Sequence, residues 1–256
     1  MKTLRSALLT LVFVCVAPPA VAQLSVPSGG SLTLNGGSLN LAGTDAQIGG
    51  LLSLGGGQLG NAGSIDILAS GTFDAGSGQL MLSGNWSDAG SFLAGTSSVD
   101  FIDGSTSSSQ VLGNTTFANL SFVSATGKNY IFGAGSMQTI AGLLTITGTA
   151  AQPIQFRSSA AGQAANVNLL AGGSQSIVHV GVSDVHATGQ HLAPSLSNEG
   201  GSGNATGWFA AIVAQTAVPA VALSPIGLLL FAFALLAVVW HSRRYRFTAS
   251  LPDSSR

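Results

Sequence analysis

One short unit keeps returning through the centre of this chain: apolar, any residue, apolar, any residue, glycine. It opens in GSLTLNGGSLNLAG (30–43) and comes back as Leu52-Ser53-Leu54-Gly55-Gly56, Leu80-Met81-Leu82-Ser83-Gly84 and Leu144-Thr145-Ile146-Thr147-Gly148. Alternation with period two marks a strand that buries one face. It sets Leu32 with Leu34, Leu39 with Leu41 and Ile65 with Ile67 on one side, and turns Thr33, Asn40 and Asp66 to the other. Each copy has room for one short strand and one turn. Strands this short cannot hold a core alone, so the copies must stack, and stacking them on glycine corners predicts an all-β parallel β-helix, a β-solenoid. A β-sandwich is the alternative architecture, because many short strands with regular turn signals also fit it.

Farther along, the strands lengthen and gain aromatics: 98–102, 116–123, 129–132, 154–157 and 177–182. Their spacing varies, so the repeat is degenerate. Within 116–123, parity sends Leu120 and Phe122 to the core and leaves Phe117 with Asn119, Ser121 and Val123 on the other face. Within 177–182, it turns His179 to solvent, opposite Val178, Val180 and Val182.

Only 7% of the 256 residues are charged, against about 25% in ordinary soluble domains. Glycine, serine, threonine and asparagine stand in for charge, which suits turns and short strands. The central segment 23–209 carries two basic residues, Lys128 and Arg157, and eight acidic ones, a formal charge of −6. A nucleic-acid partner is disfavoured, since neutralising phosphates needs clustered Lys and Arg. The single cysteine, Cys15, lies in the N-terminal apolar run. A mature chain without it has no thiol for disulfides or metal ligation.

Residues 1–22 read as a cleavable secretory signal peptide: Lys2 and Arg5, the apolar run 7–17, then Pro18-Pro19 and the small-residue triplet Ala20-Val21-Ala22. That order matches the three regions signal peptidase requires, with cleavage after Ala22. At the other end, 226–240 carries no charge and Arg243, Arg244 and Arg246 follow at once. Fifteen helical residues span about 22 Å, and the run reaches bilayer thickness when residues 217–224 contribute. The arginines place the C-terminus in the cytoplasm by the positive-inside rule. The organisation expected is signal peptide 1–22, solenoid body 23–209, linker and sorting-motif region 210–224, one transmembrane helix 225–241 and a basic tail 242–256. Within the body, Gly200–Gly207 reads as a flexible linker.

The arrangement Val218-Pro219-Ala220, then Leu223-Ser224-Pro225-Ile226-Gly227, an apolar helix and Arg243-Arg244 resembles the C-terminal sorting signals of the IPTL-CTERM and PEP-CTERM kind. That resemblance implies recognition and removal of the tail by an exosortase-type membrane protease in a bacterium of Gram-negative type. A second resemblance runs through 84–209. GNWSDAGSFLAGTSSVDFIDG (84–104), Gln110, 113–117 and 119–120, with 153–159, 180–184 and 200–209 as a closing segment, are similar to modules of large bacterial surface and adhesin-like proteins. The resemblance implies a secreted parallel β-helix-like scaffold without a defined reaction.

Several groups invite chemistry. His179, Asp184, His186 and His191 fall within thirteen residues, but their spacing matches no local zinc motif. Asp100 and Asp103 suggest a carboxylate pair, yet residues three apart on a strand face opposite ways, and turn aspartates need no catalytic role. Trp86, Trp208 and Tyr130 could stack on sugars or pack corners. The sequons at Asn85, Asn114, Asn119 and Asn204 are unremarkable in so Asn-, Ser- and Thr-rich a chain. No catalytic, cofactor or metal site is expected. The reading is an exported, non-catalytic surface or extracellular-matrix structural or adhesion protein, held in the membrane by its C-terminal helix. Its expected partners are signal peptidase, an exosortase-type sorting protease and extracellular polysaccharide. The alternative is a carbohydrate-active β-helix enzyme, a polysaccharide lyase or hydrolase.

Overall fold

The structure is a computed structural model that describes residues 23–209, together with the helical positions Phe233, Leu236, Ala237, Trp240 and His241. The proposed signal peptide, the linker, most of the transmembrane segment and the basic tail lie outside the described residues. Among the described residues no helix is long and apolar enough to cross a membrane. The chain divides into two compact units, 1–211 and 212–256.

The first unit is a parallel β-solenoid in which each turn contributes up to three strands. The first turn has β1 (Gln23–Val26), β2 (Ser31–Thr33) and β3 (Ser38–Asn40). The second has β4 (Asp45–Ile48), β5 (Leu51–Ser53) and β6 (Gln58–Ala62), and the third β7 (Ile65–Ile67), β8 (Thr72–Asp74) and β9 (Gln79–Leu82). Then come β10 (Trp86–Asp88), β11 (Ser91–Leu93) and β12 (Ser98–Phe101), followed by β13 (Ser108–Gly113), β14 (Thr115–Phe117) and β15 (Asn119–Val123). The sixth turn is β16 (Asn129–Phe132), β17 (Met137–Ile140) and β18 (Leu143–Thr147); the seventh is β19 (Ile154–Ser158), β20 (Ala165–Leu169) and β21 (Ser174–Val178). The last strands are β22 (Val180–Ser183) and β23 (Val185–Ala187).

Every strand pairs with its counterpart one turn away, and all these ladders are parallel. A sandwich built on antiparallel hairpins is thereby excluded. One face is continuous through eight strands, β1 to β22, and another through seven, β3 to β21. The remaining face is broken into β2-β5-β8-β11 and β14-β17-β20-β23.

The repeat is degenerate in length yet keeps its register, apart from one shift between Leu59 and Ala62 where β6 pairs with β9. Ala46 pairs with Ile65, nineteen residues on; Leu59 pairs with Leu80, twenty-one on; Leu143 pairs with Ser174, thirty-one on. The extra residues leave at the corners. Where corners stack tightly, backbone lies on backbone: a Cβ on Gly71 would come within 2.0 Å of the Ile48 carbonyl oxygen, which is why glycine holds that corner.

Inward-facing side chains form one core along the stack. Ile65 and Ile67 are fully buried, and Leu120 and Phe122 nearly so, as the alternation predicts. Phe117 is also fully buried, contrary to its parity. Residues 116–123 are not one strand: β14 and β15 lie on different faces, and the corner at Ala118 resets which parity points inward. In the later turns the core becomes aromatic, with the rings of Phe101 and Phe122 stacked at 4.9 Å and those of Phe122 and Phe156 edge to face at 5.0 Å.

Residues 192–209 close the C-terminal end. Parallel bridges join Ser183 to Gly203 and Leu192 to Trp208, and the Phe209 N–H donates to the Leu192 carbonyl at 2.8 Å. Trp208 and Phe209 are buried over the last turn. Gly200–Gly207 is therefore part of a hydrogen-bonded cap rather than a free linker; its glycines give the backbone the positive φ it adopts at Gly200, Gly203 and Gly207.

Candidate functional site

The three histidines of the body do not converge. His179 is not a mid-strand residue: it occupies the corner between β21 and β22 with φ +54°, and its Nδ1 lies 3.1 Å from a Glu199 carboxylate oxygen. His186 Nε2 meets the Asn204 side-chain oxygen at 3.1 Å, and His191 Nε2 meets the Phe209 carbonyl. Each histidine thus holds a different residue of the cap. Asp184 accepts from the Asn204 amide at 2.5 Å and from the Gly162 N–H at 2.9 Å, which, with His186 close by, hold its carboxyl below the ordinary carboxylate range. Among the described residues no group of three or more His, Cys, Asp or Glu is placed to hold a metal ion.

The aspartate pair does not share a strand. Asp100 accepts from Gln79, which itself accepts from Gln58, both at 2.9 Å, so an amide ladder climbs three turns of one outer face. Asp103 sits past the end of β12. Burial works against its charge, but hydrogen bonds from Ser124, Ala125 and Thr126 outweigh it and hold the carboxyl below its usual value. Both carboxylates pin neighbouring turns.

The two bases of the body are equally committed. Lys128 is 1% exposed, and its Nζ donates to the carbonyl oxygens of Ser83 and of Ile102, the latter at 3.2 Å, while lying 5.7 Å from the centre of the Tyr130 ring. Arg157 donates to the carbonyls of Phe156 (2.8 Å), Gly181 (3.2 Å) and Gly200 (3.0 Å) and to the Gln155 side chain. Neither base contacts a carboxylate. Lys128 joins carbonyls just past the ends of β9 and β12, and Arg157 joins carbonyls of β19, β22 and the cap.

Lys128→Met keeps most of the side-chain volume, strands the Ile102 carbonyl and leaves Ser83 only the bond from the Ser109 hydroxyl at 3.4 Å, so urea titration should show a loss of about 1–3 kcal/mol. The pH dependence has a defined sign. Burial lowers the Lys128 pKa, so below the ordinary lysine value of 10.5 the unfolded chain holds this proton more tightly than the folded one. Stability from this group therefore rises with pH through the alkaline range below that value. Tyr130 works oppositely: burial pushes its phenol up from 10.0, so above that pH the unfolded chain loses a proton that the folded chain keeps, and stability falls. The methionine variant should lose the rising limb and keep the fall.

Trp86, Tyr130 and Trp208 are all buried, so they pack the interior and present no stacking surface. The asparagines of three sequons also serve the fold. The side-chain oxygens of Asn85, Asn114 and Asn119 accept the backbone N–H of Gln110, Met137 and Leu143 at 2.8, 2.8 and 3.0 Å, one turn along in each case.

One sheet is interrupted between β11 and β14. Trp86 demands width there: its ring lies 5.0 Å from Phe92 and 5.3 Å from Phe117. In place of a strand ladder, the Trp86 indole N–H donates to Thr115 Oγ1 at 3.0 Å, and that hydroxyl donates to Asp88 Oδ2 at 2.9 Å. Burial pushes the Asp88 carboxyl up, partly offset by the bonds from Thr115 and Gly90. Beside this seam is a concavity of about 380 Å³ lined by Asn114, Thr115, Thr116, Gly135, Met137 and Thr139. It contains no charged side chain. Sequence reasoning did not find it, because it depends on which residues of successive turns are brought side by side; the dense run Asn114-Thr115-Thr116 was its only local signal.

The residues assigned to export and sorting, Ala20 and Ala22, Val218, Pro219, Leu223, Ser224, Pro225, Gly227, Arg243, Arg244 and Arg246, all lie outside the described residues. Compared with family models, with curated proteins and with solved structures, the chain matches none.

Proposed function

We propose that this is an exported, non-catalytic structural or adhesion protein of the cell surface or extracellular matrix, and that its solenoid presents uncharged hydroxyl and amide columns to extracellular polysaccharide. The observation that carries this reading is how the charged groups are used. Lys128 and Arg157 are spent on backbone carbonyls, and Asp100, Asp103 and Asp184 on neighbouring turns. What remains facing outward beside the seam is the register column Thr116, Thr139, Asn168, with the uncharged concavity on it. Such a surface suits a neutral glycan, whose hydroxyls both donate and accept. The sequence supports the address: a leader ending at Ala22, and a tail resembling sorting signals that an exosortase-type protease would process.

Purified 23–209 should co-sediment with insoluble matrix polysaccharide and release neither new reducing ends nor unsaturated uronate. Thr116→Glu with Thr139→Glu, both on the outer face, should weaken retention. Depolymerisation of the polysaccharide would shift the assignment to the enzyme reading, and retention indifferent to both substitutions would remove the seam as the contact. Intact-mass analysis of envelope and medium fractions should find Gln23 at the mature N-terminus, and a surface form lacking Arg243, Arg244 and Arg246.

A further inference from the structure

The two ends of the stack are built differently. Residues 192–209 cover the last turn. Among the described residues nothing lies beyond the first, where β1, β2 and β3 are each the edge strand of their sheet. The core columns register the difference. Ala46, Leu52 and Leu59 in the second turn are fully buried, whereas their register partners Leu24, Leu32 and Leu39 in the first are only partly so, as is Leu34. These leucines continue a stack that has no layer beneath it among the described residues.

The first turn also lacks the usual guards. Exposed strand edges are normally blunted by lysine, by proline or by a bulge, because their free N–H and C=O groups recruit another chain. Residues 23–43 contain no Asp, Glu, Lys or Arg, and their one proline, Pro27, sits at the corner after β1 rather than in an edge strand.

We propose that this end, freed when residues 1–22 are removed as the proposed export requires, is an interface for a second copy of the chain, joined head to head about a two-fold axis. Head-to-tail stacking is blocked, because the cap occupies the place where another chain's first turn would sit. Two first turns can meet. A two-fold axis through one face sets that face's edge strand antiparallel to its own copy, and sets the edges of the other two faces antiparallel to each other. All three edges find partners at once, and Leu24, Leu32, Leu34 and Leu39 gain the layer they lack. The contact is isologous, with the same patch on both sides. No side chain in the turn carries a charge, so the side chains of the two patches meet without like-charge repulsion.

Residues 23–209 hold the whole described core of the body and are the protein to test. Sedimentation over a range of concentrations should show a monomer–dimer equilibrium. Ser31→Lys with Ser38→Lys, exposed positions on two edge strands, should raise the dissociation constant about tenfold or more, through like charges brought together across the contact. Circular dichroism and Tm should not change, which separates a lost interface from a lost fold. The segment contains no cysteine, so single nitroxide labels report geometry. Coupling between copies should be strong at Ser25→Cys in β1 and weak at Ser195→Cys in the cap. A monomer at every concentration, a dimer indifferent to both lysines, or strong coupling at Ser195→Cys would each overturn the proposal.

Discussion

Leu120→Asp should unfold the solenoid at room temperature. Leu120 is 2% exposed in the middle of β15 and pairs on either side with Val99 and Leu144, themselves fully buried. An aspartate there would lose the leucine's packing, roughly 2–5 kcal/mol for truncation alone. It would also carry a carboxylate into a column without a basic partner, which adds several kcal/mol or forces the group to stay protonated. The sum rivals the whole stability of an ordinary domain, about 5–15 kcal/mol. The check is urea titration followed by circular dichroism. A variant that keeps its β signal and more than half of the parent's stability would show that Leu120 is not in the core.

Trp86→Ala should cost nearly as much, for a different reason. Trp86 is fully buried and touches the rings of Phe73, Phe92 and Phe117, so truncation opens a large cavity worth about 3–5 kcal/mol. It also removes the donor to Thr115, at the one place where a sheet is interrupted and no strand ladder compensates. Hydrogen exchange should show faster amide exchange concentrated in β11 and β14, with β1 to β6 little changed, because turns contact mainly their neighbours. Uniform acceleration along the whole body would argue against a local seam. Trp86→Phe, which keeps a ring and loses only the indole donor, should recover most of the stability.

Period-two alternation is enough to find the strands, and the glycine-closed units are enough to predict that they stack. That much was legible because each strand's inward parity is written in its own residues. Turn boundaries were not, since corners reset parity: Phe117 and His179 were each assigned to a face as if no corner interrupted the strand. The cap was misread for a related reason. A run such as GGSGNATG (200–207) has the composition of a linker, and only its pairing with Ser183, Ala187 and Leu192 reveals that it is ordered. The roles of Lys128 and Arg157 were out of reach altogether, since their partners are backbone carbonyls and no side chain encodes a carbonyl. The concavity beside Thr115 is lined from two successive turns, a juxtaposition that no local pattern records.

The corners carry one more consequence. Successive turns differ by as many as a dozen residues, from the nineteen that separate Ala46 from Ile65 to the thirty-one that separate Leu143 from Ser174, while the ladders keep register but for the one shift in β6. Length is thus a local property of each bend, and the interior never has to renegotiate it. Such a chain can lengthen one bend and shorten another and leave its core untouched.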